Sequence, residues 1–206
     1  MYQDFEYQAV IDLIHSTRPL VMDRHKAGDI TQKGRSDFAT AVDYEVQTYL
    51  QEKLCQLYPH IQFFAEENHM QNVDPARPYW ILDPIDGTTN LIHDCHQSCV
   101  ALALWDGEKL VFGCCYNPFR DETFAAELGK GAYLNGRPIH VSDMSEMEKA
   151  LVIVGTSPMS GRRRTGCSTW SSASSSAAPT SAAWAARSWT CAGWPADGPT
   201  AMWSIT

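Results

Sequence analysis

The 206-residue chain changes composition near residue 160, and that break decides which part of it can build a core. Residues 160–206 include ten Ser, ten Ala and five of the seven Trp, and none of them is Leu, Val, Phe, Tyr, Lys or Glu. Such a stretch has neither the helical 3.6-residue apolar period nor the strand period of two, so it offers no face to bury. Residues 1–159 therefore read as the folding part, and 160–206 as a non-native or disordered tail. The formal net charge of −8 argues against nucleic acid or an anionic membrane as the main partner. No window approaches the roughly 18 uninterrupted apolar residues of a membrane span, and the acidic start lacks the basic region of a secretory signal. The expectation is a soluble cytoplasmic protein. The seven cysteines follow no framework spacing, and Cys114 and Cys115 are adjacent, which fits reduced thiols.

Phe5, Ala9, Val10, Leu13, Ile14, Leu20 and Val21 recur mostly at three and four, predicting a first helix over residues 4–24, bent at Pro19. A second helix follows Asp43, with Val46, Tyr49, Leu50 and Leu54 on one face, and ends before Pro59. Residues 61–65, 79–82, 98–105, 110–116 and 122–127 read as strands, short, β-branched or aromatic and separated by turn residues. The close spacing of the last three predicts antiparallel hairpins, hence an α+β fold rather than a doubly wound parallel sheet.

Residues 80–90, Trp-Ile-Leu-Asp-Pro-Ile-Asp-Gly-Thr-Thr-Asn, carry the chemistry. An apolar strand delivers Asp83 at its end, Pro84 is expected to stop the ladder, and Asp86 returns three residues later with Gly87 giving the backbone room to turn. Two carboxylates and a free carbonyl then face one point, a donor set suited to hard cations such as Mg²⁺, which take oxygen ligands and leave positions for water and a phosphate. A second acidic strand end, Glu66-Glu67, follows Phe63-Phe64-Ala65. A bare Asp-x-x-Asp is more often a solvated turn. The glycine, the hydroxyls of Thr88 and Thr89 and the second strand end together favour a metal site.

With these motifs in place, the sequence resembles the inositol monophosphatase family of Mg²⁺-dependent, lithium-sensitive phosphatases. Asp83 to Asn90 matches its first signature and Ala65-Glu66-Glu67 its upstream acidic strand end. Ser36 to Asp43 resembles the segment after its mobile metal-site loop, and Gly129 to Pro138 its glycine-rich hairpin. The likeness covers residues 4–158. It implies a layered α/β sandwich of the inositol monophosphatase/fructose bisphosphatase type, of which the N-terminal half is present. It implies Glu66, Asp83, the Ile85 carbonyl and Asp86 as Mg²⁺ ligands, with Asp83 bridging two ions. Thr88 and Asp43 orient the attacking water with Glu66 beside them, Asp86 and the Gly87 and Thr88 backbone hold the substrate, and the Gln32-Lys33 loop closes on a weaker third ion. The implied reaction is hydrolysis of a small phosphomonoester, most simply inositol monophosphate, by metal-activated water without a covalent phosphoenzyme. The implied assembly for an intact frame is a homodimer. Helix capping is the plain reading of Asp43 and Asp37, and it is compatible with a catalytic role.

Two other clusters weigh less. His93, Asp94, Cys95, His96 and Cys99 crowd borderline ligands into seven residues, but their spacing matches no closed zinc pattern and a strand begins at once. Arg162-Arg163-Arg164 reads as solvated charge.

The resemblance also calls for a second signature, an Asp after a Trp that completes the metal site, and this is absent. The tail carries a trace of it in another reading frame. Trp and Met have single codons ending in G, so reading one base earlier forces the next residue. The codon of Ala185 becomes Gly, that of Thr190 Asp, that of Pro195 Ala and that of Trp203 Val. Permitted codons between them complete Gly-Ser-Ala, an Asp-bearing helix with Val-Ala, and Gly-Arg-Ala-Asp-Gly, which resembles the missing family segment. Residues 160–206 therefore read as a frameshift product. The competing reading of the whole chain is a non-catalytic fragment or interaction protein.

Overall fold

The computed structural model describes residues 5–34, 37–67, 73–141, 143, 152–154 and 181–183. Chain order begins with three short helices, α1 (Tyr7–His15), α2 (Arg18–Val21) and α3 (Arg24–Ala27), then a hairpin of β1 (Ile30–Gly34) and β2 (Asp37–Thr40). The long helix α4 (Ala41–Leu57) follows. A seven-stranded sheet runs β3 (Gln62–Ala65), β4 (Tyr79–Asp86), β5 (Cys99–Trp105), β6 (Leu110–Asn117), β7 (Glu122–Glu127), β8 (Gly131–Leu134) and β9 (Arg137–Ile139), in that spatial order. Helix α5 (Thr88–Ile92) interrupts it after β4. Strands β3 and β4 are parallel, as their connection through residues 66–78 allows, and every later neighbour is antiparallel. A separate parallel pair joins β10 (Val152–Val154) to β11 (Ser181–Ala183). The fold is α+β, and the hairpin meander at 99–127 has the expected antiparallel order.

The register explains where the core lies. Trp80, Leu104 and Phe112 are cross-strand neighbours, as are Leu82, Leu102 and Cys114, so one face of the sheet presents a continuous apolar surface. All six are at most 2% exposed. Helix α1 turns Tyr7, Val10 and Ile14 onto this surface, with the Tyr7 ring stacked on Phe112 at 4.3 Å. Helix α4 adds Val42, Val46, Leu50 and Leu54, spaced by four and all fully buried. By alternation, Asp83 faces the other side with its cross-strand neighbours Ala101 and Cys115.

Three local expectations are corrected. The single first helix is three helices: the chain turns at Ser16-Thr17, where Thr17 Oγ1 donates to the Ile14 carbonyl at 2.6 Å. Pro19, which has no N–H, sits in the first turn of α2, where none is needed, and Asp23 starts α3 by accepting from the His25 and Lys26 amides. Helix α4 starts before Asp43, with Thr40 as its N-cap and Asp43 at the third helical position. Finally, Pro84 does not end β4. Asp83 pairs with Ala101 and Asp86 with Cys99, so three steps on β4 oppose two on β5 and Pro84-Ile85 forms a bulge. A bulge is where a strand tolerates a residue with no amide hydrogen. The β1–β2 hairpin was not anticipated, whereas β8 and β9 occupy the glycine-rich hairpin. The disordered-tail reading and the Arg162-Arg163-Arg164 run fall outside the described residues, apart from the three residues of β11.

Candidate metal centre

Two parallel strands set the acidic side chains beside one another. The Glu66 amide donates to the Leu82 carbonyl at 3.1 Å, extending the β3–β4 ladder one residue and placing Glu66 next to Asp83. The two carboxyl groups share a hydrogen bond. Burial, the negative charges of Glu66 and Asp86, that shared bond and the charge of Asp43 push the Asp83 carboxyl up to about 9. Asp83 Oδ1 is buried without a hydrogen-bond partner. An orphaned carboxylate oxygen among like charges is unfavourable in a metal-free fold, and it is what a site built for a cation contains. Asp86 lies across the bulge, with Oδ2 3.8 Å from the Cys99 thiol.

The second half of the site is where two helix starts meet. Asp43 Oδ2 accepts from the Thr40 amide at 2.8 Å and the Thr40 hydroxyl at 2.6 Å, so it caps α4. Its other oxygen, Oδ1, accepts from Thr88 Oγ1 at 3.1 Å, joining residues 45 apart in sequence. Asp43 is 1% exposed, and burial raises its pKa against the lowering effect of these hydrogen bonds. Thr88 Oγ1 also lies 3.1 Å from the Ile85 carbonyl. The hydroxyl has one hydrogen for two acceptors, so when Asp43 takes it the Ile85 oxygen keeps both lone pairs.

Gly87 sets this turn. Its φ of +88° is left-handed, and a Cβ there would lie 2.9 Å from the Gln97 carbonyl. Ser98 Oγ donates to the Gly87 carbonyl at 2.9 Å and Asn90 Nδ2 to the Gln97 carbonyl at 2.8 Å, tying the start of α5 to the approach of β5.

The structure thus brings Glu66, Asp83, Ile85, Asp86, Gly87, Thr88 and Asp43 to one region at the end of β4. Among the described residues, no three His, Cys, Asp or Glu side chains form a closed cluster able to hold an ion. The oxygen set nevertheless fits a hard divalent cation, because such ions need few carboxylates and accept a backbone carbonyl and water as well. Asp37 lies in β2 on the way to Asp43. Thr40 and Ser98 were given no role from the sequence, and Glu67 only a place in the second acidic strand end. Thr40 had a signal, the Thr-x-x-Asp spacing of a capping box; Ser98 had none.

The alternative soft-ligand cluster does not close. His93, Cys95 and His96 are exposed, and Asp94 pairs with Arg24 at 3.2 Å and His96 at 3.3 Å. Cys99 is buried on β5, away from that loop.

A sequence profile described as the inositol monophosphatase family matches residues 3–186. The chain belongs to the inositol monophosphatase family. An inositol monophosphatase of Dictyostelium discoideum is 32% identical over 149 residues, 70% of this chain and 55% of that protein. An inositol-1-monophosphatase of Synechocystis is 38% identical over 133 residues, 63% of this chain and 46% of that protein. The chain thus spans about half the length of these curated relatives. The crystal structure of the extragenic suppressor protein suhB from Bartonella henselae superposes with a TM-score of 0.77 at 26% identity, covering 89% of this chain and 73% of that one. The family fold is the mixed sheet with helices described above. Among the described residues no helix is long and apolar enough to cross a membrane.

Proposed function

We propose that this inositol monophosphatase family chain carries the Mg²⁺ half-site of a phosphomonoesterase acting on inositol monophosphate or a similar small phosphate ester. The observation that carries the reading is the orphaned Asp83 oxygen, held among carboxylates beside the Thr88–Asp43 hydrogen bond. Glu66, Asp83, Asp86 and the Ile85 carbonyl are the proposed ligands of Mg²⁺. When bound, Mg²⁺ lowers the pKa of water and neutralises charge on the phosphoryl oxygens.

The chain's own groups do the rest. Asp43, fixed by Thr40, takes the Thr88 hydrogen, which turns the Thr88 oxygen lone pairs outward to accept a hydrogen from water and aim its oxygen at phosphorus. Glu66, exposed at the end of β3, accepts the proton that water loses. The Gly87 and Thr88 amides and Asp86 position the ester. Water adds its oxygen to phosphorus, the bond to the ester oxygen breaks, the leaving oxygen takes a proton from solvent, Glu66 returns its proton to solvent, and the alcohol and inorganic phosphate leave. The same reading treats residues 160–206 as out of frame, with the remaining metal ligand and the substrate-selecting half of the family domain in the other frame.

Phosphate release from inositol 1-phosphate, with Mg²⁺ or with EDTA, tests this in a frame-restored chain. Release requires Mg²⁺, Thr88→Ala lowers kcat about a hundredfold and Thr88→Ser retains most of it. Equal turnover in EDTA refutes the metal reading. An unaffected Thr88→Ala refutes the water-orienting role.

A further inference from the structure

We propose that Asn117, outside the proposed ligand set, is a positioning residue that ties the turn after β6 to the Gly87-Thr88 turn and so holds Thr88 in place. This rests on reading Thr88 as the group that aims water. Asn117 ends β6, one step beyond the Val100–Tyr116 pair that closes the β5–β6 ladder, and so lies beside the approach to β5. It is fully buried, and both ends of its side-chain amide are used. Oδ1 accepts from the Phe119 amide at 2.8 Å and the Arg120 amide at 3.1 Å. Nδ2 donates to the His96 carbonyl at 3.2 Å, across 21 residues of sequence. Two N–H groups facing one end and a carbonyl facing the other leave no choice about which end is oxygen.

His96 is where the bond matters. Its φ of +57° is left-handed, a conformation that a residue with a side chain keeps only when its surroundings hold it there. Asn117 holds the His96 carbonyl, while the imidazole stacks on Phe119 with centroids 4.8 Å apart and planes at 12°. Phe119 is itself fixed through its amide by Asn117. The next two residues carry the restraint onward. The Gln97 carbonyl accepts from Asn90 Nδ2 at 2.8 Å, and Ser98 Oγ donates to the Gly87 carbonyl at 2.9 Å. That carbonyl also accepts the Leu91 amide at 3.0 Å, the bond that closes the first turn of α5 around Thr88. A series of adjoining hydrogen bonds thus runs from β6 to the water-orienting hydroxyl.

A plain turn cap and a positioning residue are separated by Asn117→Asp. Its carboxylate still accepts the Phe119 and Arg120 amides, which favour the ionised form, but it has no donor for His96. In the full 206-residue chain without metal, hydrogen exchange read by mass spectrometry at pH 8 is expected to be about tenfold faster in the variant over residues 87–95, where the Leu91, His93 and Cys95 amides are bonded, and unchanged along the β5–β6 ladder. In the frame-restored chain, Asn117→Asp is expected to lower kcat for inositol 1-phosphate about tenfold, but by less than about twofold when Thr88 is already Ala, because residues acting through one group are not additive. Asn117→Ser, whose hydroxyl still caps the turn but falls short of His96, replaces the Asp variant if that one does not fold. Unchanged exchange over residues 87–95 overturns the proposal, as does an equal kcat loss with and without the Thr88 hydroxyl; both leave the phosphatase reading standing. No Mg²⁺-dependent release by the frame-restored wild type overturns that reading and this proposal with it.

Discussion

Asp83 concentrates the conflict between folding and function in one side chain. Its carboxyl is buried beside Glu66 and Asp86, and one oxygen has no partner. Without a cation the native state keeps it protonated up to about pH 9, whereas an unfolded Asp loses its proton near the ordinary value of 3.8. A folded pKa raised above the unfolded one contributes stability at low pH that is lost as pH rises between those two values. Asp83→Asn removes this titration and keeps the shape. In EDTA, the variant's Tm is expected to rise relative to wild type as pH goes from 4 to 9. With Mg²⁺ present, the frame-restored variant is expected to retain less than a tenth of wild-type phosphate release. A Tm difference that is flat with pH contradicts the buried-charge account, and turnover above a tenth contradicts the bridging role.

At the scale of elements, the site depends on how β4 passes into α5. The Pro84-Ile85 bulge keeps β4 paired with β5 while shifting the register, so that Asp83 and Asp86 both remain at the strand's end. Gly87 then reverses the chain in a left-handed conformation beneath the Gln97 carbonyl, and Thr88 opens α5 against Asp43 of α4. Gly87→Ala meets backbone at 2.9 Å in addition to its positive φ, and backbone is the neighbour least able to yield. The expected cost is about 1–3 kcal/mol for the strain, with the clash in addition, read as a lower midpoint in urea unfolding. Mg²⁺-dependent phosphate release is expected to fall as well, since Thr88 moves with the turn. An unchanged midpoint shows that the Ser98 and Asn90 clamp on this turn relaxes without penalty.

For the whole molecule, the described core is one-sided: α1 and α4 cover the sheet face carrying Trp80, Leu102 and Phe112, while Asp83, Ala101 and Cys115 lie on the other. The proposed ligands come from the end of β3 and from β4, within residues 66–86, and under the frameshift reading the last carboxylate lies in the other frame. Losing the ion that this carboxylate completes removes several kcal/mol of stabilisation from the leaving oxygen. At 1.36 kcal/mol per decade, that is on the order of a thousandfold in rate. The 206-residue chain and a frame-restored chain, assayed in parallel on inositol 1-phosphate, are expected to differ by at least that factor. Comparable turnover means that the second signature is dispensable, and the frameshift account of residues 160–206 then loses its functional consequence.

What the sequence determined by itself is local in origin. The spacing of Val46, Leu50 and Leu54 marks α4, the close spacing of the strands at 98–105, 110–116 and 122–127 marks the hairpins, and the acidic residues after two apolar runs mark the strand ends. The Asp83 to Asn90 motif carries the family on its own. Tertiary structure decided what depends on register and on distant side chains. Neither the Asp43–Thr88 hydrogen bond nor the Asn117–His96 one has a periodic signature, because each joins segments whose separation in sequence is unrelated to their separation in space. Pro84 looked like the end of a strand because its missing amide hydrogen is a local fact, whereas the bulge that accommodates it exists only through pairing with β5. The first helix broke into three for the same reason. Leu20 and Val21 lie six and seven positions beyond Ile14, a spacing a single helix allows, but the Thr17 hydroxyl bonds the Ile14 carbonyl where the chain turns, and α2 and α3 then pack on α4 while α1 also reaches β6.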